Sequence, residues 1–308
     1  MSSGILTKPW PYLALILAHI IWGANFGVAK VTLQEFPPST LAFFRFALAS
    51  LLLAPFFLAE TKKVKIISSD YPKLVLVGIL MVTLNITFFF AGIEKTTVIN
   101  AAVLTLTIPM LSVILSWWFL KEHIFIVNLV GIILGLVGAV VIVGLPELNA
   151  GTGTLLGNLL IILASVCWVV GALISRKLLM TYSSLEVTAI IFMVGTLTFF
   201  IPTANEYLKD PSWPSRITSL GILGLTYMTL LSSVSAYFLF EWGLARTSVV
   251  IADLFQYIEP FIATVVAVAI LGEEVTLVFG VGAVLIAIGV YMGTFAKQIH
   301  HRLRHHRH

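Results

Sequence analysis

Apolar runs long enough to cross a membrane alternate with short polar breaks along almost all of this 308-residue chain. They fall at residues 11–30, 39–58, 73–93, 97–119 and 125–145, then at 154–176, 184–203, 219–242, 249–271 and 276–296. A helix of about 20 residues crosses about 30 Å of hydrocarbon, so the pattern predicts ten transmembrane helices. The runs are continuous and far longer than the alternating ~10-residue strands of a membrane barrel, which disfavours that architecture. The first run follows Lys8 as a signal peptide would. It continues through His19, Trp22 and Asn25 without a small-residue cleavage site, and reads as a first span.

Composition sharpens the picture. The chain is 59% hydrophobic and 10% charged, with a mean hydropathy of +1.05, where soluble domains carry about 25% charged residues. No water-facing surface of this size can be coated so sparsely, so soluble enzymes, nucleic-acid readers and secreted scaffolds are excluded. With the N-terminus inside, thirteen of the eighteen lysines and arginines lie on the inner side, among them Lys62, Lys63, Lys65, Arg176, Lys177 and the tail after 296. Lys30, Lys95, Lys209 and Arg216 lie outside and Arg45 within a span. Both termini are therefore expected in the cytoplasm, and the net charge of +4 reflects topology rather than nucleic-acid binding. The single cysteine, Cys167, leaves no internal disulfide or CxxC site.

The chain also overlays on itself. A shift of 151 residues puts Gly92 on Gly243, Lys95 on Arg246, Pro109 on Pro260, Glu122 on Glu273, and Gly131 and Gly138 on Gly282 and Gly289. A shift of 146 puts Trp22 on Trp168 and Lys30 on Arg176. Five spans per repeat is an odd number, so the halves enter the membrane in opposite directions, the design of alternating-access carriers. The expected organisation is a cytoplasmic N-terminus at 1–10, a first five-helix repeat at 11–145, a second, inverted one at 154–296, and a basic tail at 297–308.

The motifs Trp22-Gly-Ala-Asn25-Phe, Arg45-Phe46, Thr107-Ile-Pro109 with Lys121-Glu122, and Ile258-Glu259-Pro260 with Leu271-Gly272-Glu273 are spread over residues 12–294. Together they resemble the EamA family of the drug/metabolite transporter superfamily. That resemblance implies an all-α integral membrane protein, a ten-helix basket of two inverted repeats around a central cavity. The family's usual cargo is amino acids, related metabolites or lipophilic cations, mostly exported. One departure is Lys121-Glu122, where the second half has Gly272-Glu273.

Ionisable groups within spans are expensive and mark function by default. Asp253, Gln256 and Glu259 share one arc of about 120° on a helical wheel. Glu259, near the midplane, is a candidate to take up a proton and couple it to cargo, with Asp253 and His19 as partners. The bland alternative is that Glu259-Pro260 is structural, settling the backbone groups that proline frees. Asp253 is expected to pair with Arg246, and Glu241 to sit at a solvated helix end. His19, Trp22 and Asn25 share a face of the first span, and a Trp22–Trp168 pair could bracket a flat or cationic cargo or simply pack. Asn85, Phe89, Asn100, Thr105 and Tyr237 are further candidates for the cavity, ahead of Tyr227 and Tyr257. Arg45 is read chiefly as an anchor that snorkels or holds backbone carbonyls, with a cargo carboxylate as the alternative. Pro109 and Pro260 are structural or gating candidates, and the glycines of the fifth and tenth spans suit close helix packing. The tail from His300 to His308 suits anionic lipid better than metal.

The sequence thus favours a secondary transporter of small metabolites, most of all amino acids or related amphipathic or cationic compounds, working outward across the plasma membrane with proton antiport as the candidate drive. A facilitative uniporter or exchanger is the alternative, with a membrane-embedded enzyme or channel behind it. No GxxxxGK[ST] loop is present for ATP, and HExxH and GxSxG are absent. The implied partners are a small-molecule substrate, the bilayer and protons, without cofactor, metal or nucleic acid, in a monomer or homodimer.

Overall fold

The computed structural model of the chain describes residues 9–61, 66–95, 101, 104–121, 124–143, 152–262 and 277–294. The regular structure of these residues is helical, joined by short turns, without strands among them. We number the α-helices α1 (Trp10–Thr32), α2 (Pro38–Thr61), α3 (Tyr71–Gly78), α4 (Asn85–Lys95), α5 (Ile108–Phe119), α6 (Ile126–Val143), α7 (Thr152–Leu178), α8 (Ser184–Lys209), α9 (Ser219–Tyr227), α10 (Ala236–Leu244), α11 (Val249–Leu254) and α12 (Leu277–Thr294). A π-helical turn, Ile79–Leu84, joins α3 to α4, and another, Met228–Ser235, joins α9 to α10. Among the described residues, six segments are long and apolar enough to cross a membrane: Trp10–Thr32, Pro38–Glu60, Ser68–Lys95, Leu155–Leu178, Ser184–Lys209 and Ser219–Leu244. The spans expected at 97–119, 125–145, 249–271 and 276–296 lie partly outside the described residues.

Local signals place the helix starts. Ser183 accepts from the Glu186 amide while Glu186 reaches back to the Ser183 amide, a capping box that opens α8. Thr218 and Ser248 cap α9 and α11 in the same way. Pro109 stands in the first turn of α5, where a missing N–H costs nothing. Two helix starts are capped from elsewhere in the chain. Glu206 accepts from the Ser39 and Thr40 amides, and Glu35 accepts from the amide and hydroxyl of Thr218. The Thr218 bonds hold the Glu35 carboxyl below its usual range.

The polarity of the bundle is inverted relative to a soluble protein. Leu51, Trp117, Ile133, Leu197 and Leu223 are each more than half exposed, while Arg45, Glu241, Asp253 and Glu259 are buried. An apolar exterior of this extent is a surface for lipid.

Packing joins the two halves of the chain in exchanging pairs. Helix α4 packs on α7 and α10 on α1; α2 packs on α8, and α6 on α12. Under the sequence repeat α1 corresponds to α7, α2 to α8, α4 to α10 and α6 to α12, so the first two contacts exchange and the other two map onto themselves. The α6–α12 seam shows why glycine is needed. A Cβ on Gly131 would lie 2.6 Å from the Gly289 carbonyl oxygen, and one on Gly138 would lie 2.7 Å from that of Gly282. The two contacts are each other's repeat mates, and they are made within the chain.

Lys121, just past α5, has φ 55°, the left-handed conformation in which helices commonly end on glycine. The departure of this loop from the Gly272 pattern thus carries strain. Lys121→Gly is expected to raise stability by about 1 kcal/mol, measured by thermal unfolding in detergent. In the same measurement Gly289→Ala should cost about 1–3 kcal/mol through overpacking of the seam. Gly27→Ala, which meets nothing within 4 Å, should gain a few tenths to about 1 kcal/mol. Equal effects at Gly27 and Gly289 would show that the seam is looser than described.

Candidate functional site: a buried polar cavity between the halves

The α11 segment does not continue as a regular helix. A 3-10 turn, Phe255–Tyr257, follows it, and the α-helical path resumes over 258–262. In a 3-10 turn residues i and i+3 eclipse, which brings Gln256 directly over Glu259. The Gln256 amide donates to Glu259 Oε2. Gly23 makes room on the other side, since a Cβ there would fall 2.9 Å from the Glu259 carbonyl oxygen. Helix α1 therefore lies tightly against this segment.

That approach delivers His19. It is fully buried, its Nδ1 lies 2.8 Å from Glu259 Oε1, and its Nε2 lies 3.3 Å from the carbonyl oxygen of Ala252. A carbonyl only accepts, so Nε2 carries a proton. One further proton then occupies the Nδ1–Oε1 contact, on nitrogen or on oxygen, and in either arrangement the pair is neutral overall. His19 and Glu259 thus form a buried hydrogen-bonded pair that joins α1 to the 258–262 segment.

Trp22 extends the site from the next turn of α1. Its Nε1 donates to the Ser232 carbonyl at 3.0 Å, and the Tyr237 hydroxyl donates to the Met81 carbonyl at 3.3 Å. Each bond runs from an aromatic side chain to a π-helical turn. Trp22 and Trp168 meet edge to face with ring centroids 5.2 Å apart, and Tyr237 and Phe240 complete the cluster. The two tryptophans therefore touch rather than bracket a gap, which corrects the picture of a flat cargo held between them. Each edge-to-face pair contributes about 0.5–1.5 kcal/mol beyond burial.

Next to this cluster lies a small cavity of about 100 Å³, below the roughly 300–1,000 Å³ usual for small-molecule sites. Trp22, Asn25, Arg45, Asn85, Phe89, Thr105, Trp168, Tyr237, Gln256 and Glu259 all line it. Asn100 lies outside the described residues, as do Leu271, Gly272, Glu273 and the His300–His308 tail. Asn85 donates to the Ala164 carbonyl at 3.0 Å, whereas the side-chain oxygen of Asn25 is buried without a partner among the described residues.

Three expectations are corrected. Asp253 does not pair with Arg246: it accepts from Ser112 Oγ and, at 3.2 Å, from Trp168 Nε1. It stands behind Trp168 rather than on the cavity wall, while Arg246 stacks on Trp242. Glu241 is fully buried, not solvated, and accepts from Ser175 Oγ at 2.7 Å, because α7 and α1 close over α10. Arg45 neither snorkels nor holds a carbonyl; it is 2% exposed and donates to the hydroxyls of Ser232 and Ser233. Tyr257 faces away from the cavity and packs on Gly135. The partners that sequence reading missed are mostly serines, Ser112, Ser175, Ser232 and Ser233. A serine in an apolar helix carries no signal of whether it bonds its own backbone, as Ser165 does to Ile161, or a buried charge.

A membrane-length helical bundle with a lined cavity between its halves defines the class of membrane transporters. The chain belongs to the EamA-like transporter family, whose model matches residues 9–144 and again 155–295. It is 29% identical over 288 residues to an uncharacterized transporter of Archaeoglobus fulgidus, covering 93% of this chain and 98% of that one. It is 26% identical to the uncharacterized transporter YyaM of Bacillus subtilis, over 91% and 92% of the two chains. It is 25% identical to the uncharacterized inner membrane transporter YedA of Escherichia coli, over 93% and 91%. One solved protein structure shares the fold with a TM-score of 0.76 at 20% identity, over 93% of this chain and 96% of that one.

The His19–Glu259 unit is open to a double-mutant cycle read by thermal unfolding. His19→Ala and Glu259→Gln should each destabilise, and the double variant should lose about 1–3 kcal/mol less than their sum. Additive losses would mean that the two groups do not share a proton.

Proposed function

We propose that the protein is a secondary active carrier that exports small metabolites, above all amino acids or related amphipathic or cationic compounds, in exchange for protons. The observation that supports this reading is the buried His19–Glu259 contact on the wall of the cavity between the halves. Release of the proton in that contact leaves a negative charge in a water-poor site, where an isolated charge is costly. A cargo ammonium restores neutrality there. Proton and cargo cation then compete for one carboxylate, which is what couples an exchange.

The reading includes ten spans in two inverted repeats, termini in the cytoplasm, and a place in the plasma membrane. With that orientation the cavity lies in the outer half, since Asn25, Arg45 and Phe89 stand toward the ends of α1, α2 and α4 at Thr32, Pro38 and Lys95. Beneath it the aromatic cluster, Glu241 and Asp253 form a closed inner side. The opposite state of an alternating-access cycle would part this inner layer and close the outer mouth.

The test is a proteoliposome assay with a lumenal pH dye and an imposed pH gradient. Amino acids, amines, nucleosides and quaternary ammonium compounds are added one at a time. Saturable dissipation of the gradient by one class is expected, and Glu259→Gln should abolish it while the protein still reconstitutes. Unchanged proton coupling in Glu259→Gln would sink the proton role.

A further inference from the structure

We infer that Arg45 is a binding residue for an anionic group of the cargo, so that the carrier proposed above takes carboxylate-bearing molecules with an apolar or aromatic body. An arginine buried in a membrane protein ordinarily has a carboxylate or backbone carbonyls to answer its charge. Arg45 has neither among the described residues. Its Nε and Nη2 donate to the hydroxyls of Ser233 and Ser232, the latter at 3.1 Å, and Nη1 has no partner among those residues. Hydroxyls satisfy hydrogen bonds without supplying a counter-charge, and the Phe46 ring, 5.0 Å from the guanidinium carbon, answers the charge only in part. The three ion pairs among the described residues, His19–Glu259, Lys73–Asp70 and Arg216–Asp210, all lie elsewhere.

The arrangement has the character of a prepared site. Ser232 and Ser233 are consecutive, and in a regular helix neighbours point about 100° apart. Here they belong to the wide π-helical turn Met228–Ser235, and both reach the same guanidinium. The fork is thereby fixed in place while the side chain lines the cavity. A planar guanidinium held on one edge offers its free edge to a carboxylate in a bidentate manner. Asn25, whose side-chain oxygen is buried without a partner among the described residues, and Glu259 line the same cavity. An amino acid places its carboxylate at Arg45 and its ammonium among these acceptors; a simple amine leaves Arg45 unanswered.

The test measures binding to the purified full-length protein in detergent by titration calorimetry. The probes are phenylalanine, leucine, their amides, the corresponding decarboxylated amines, and 3-phenylpropionate, which keeps the carboxylate and lacks the amine. Charged hydrogen bonds of this kind predict that each amide or amine binds about 10- to 100-fold more weakly than its parent acid. Arg45→Gln should erase that preference, and Arg45→Lys, which keeps the charge and loses the fork, should retain part of it. Should Arg45→Gln fail to fold, the wild-type series and Arg45→Lys decide. Amines binding as well as acids, an acid preference that survives Arg45→Gln, or failure of every carboxylate to bind at millimolar concentration would overturn the assignment. The assignment rests on the carrier reading, but the two fail differently. Acid-selective binding without transport leaves the Arg45 site and removes the carrier; transport of amines without acid preference does the reverse.

Discussion

The contact between His19 and Glu259 is the constraint around which the interior is arranged. A carboxylate in hydrocarbon must be neutralised or paired, and the partner here comes from 240 residues away. To deliver it, α1 must lie against the 258–262 segment, which requires Gly23 to present no side chain to the Glu259 carbonyl. The same approach fixes Trp22, and through Trp22 the contacts with Trp168, Tyr237 and Phe240. The 3-10 turn at Phe255–Tyr257 belongs to the same solution, because it stacks Gln256 on the remaining carboxylate oxygen. One buried acid thus sets a helix approach, a local change of helical period and the aromatic cluster beside the cavity.

The scaffold is repeated but the chemistry is not. The glycine seam between α6 and α12 and the exchanging helix pairs treat the two halves alike. The residues at cavity positions related by the repeat differ. Glu259 faces a site whose other half carries Ile108, Gln256 corresponds to Thr105, and Tyr237 to Ile86, all of which line the same cavity. Arg45 corresponds to Ile191 and His19 to Ser165. Duplication supplies two equivalent walls, and divergence at a few positions makes one of them acidic and another cationic. The cavity is polarised in this way, as a symmetric one could not be.

The long apolar runs made the helical, membrane-spanning character legible in the sequence, because burial in lipid needs every residue of a span to be apolar unless something inside answers it. That rule also made the exceptions visible: His19, Arg45, Asp253 and Glu259 stood out in their spans. Their partners did not. Arg246 was an electrostatically sensible mate for Asp253, yet the carboxylate is answered by Ser112 and Trp168. Period-based reasoning assumes an unbroken α-helix, so it could not foresee the 3-10 turn or the π-helical turns that aim Ser232 and Ser233 together. Glu241 looked terminal on chain position alone, whereas tertiary packing from α7 and α1 buries it. Patterns one residue wide reveal burial; they do not reveal which neighbour a fold brings up.

The bonds that tie the aromatic cluster across the two halves are individually modest. Trp22 to Ser232 and Tyr237 to Met81 each join one half to a π-helical turn of the other. A net hydrogen bond of this type stabilises by about 0.5–1.5 kcal/mol, and the edge-to-face contacts around it contribute comparable amounts. Each of these interactions is modest, but the rings that make them belong to the main buried core, Trp168, Tyr237 and Phe240 among them. The α6–α12 seam is different: its backbones touch through glycines, and a side chain introduced there would have nowhere to go. The seam and the aromatic layer thus differ in what holds them: backbone contact through glycines in one, side-chain hydrogen bonds and ring contacts in the other.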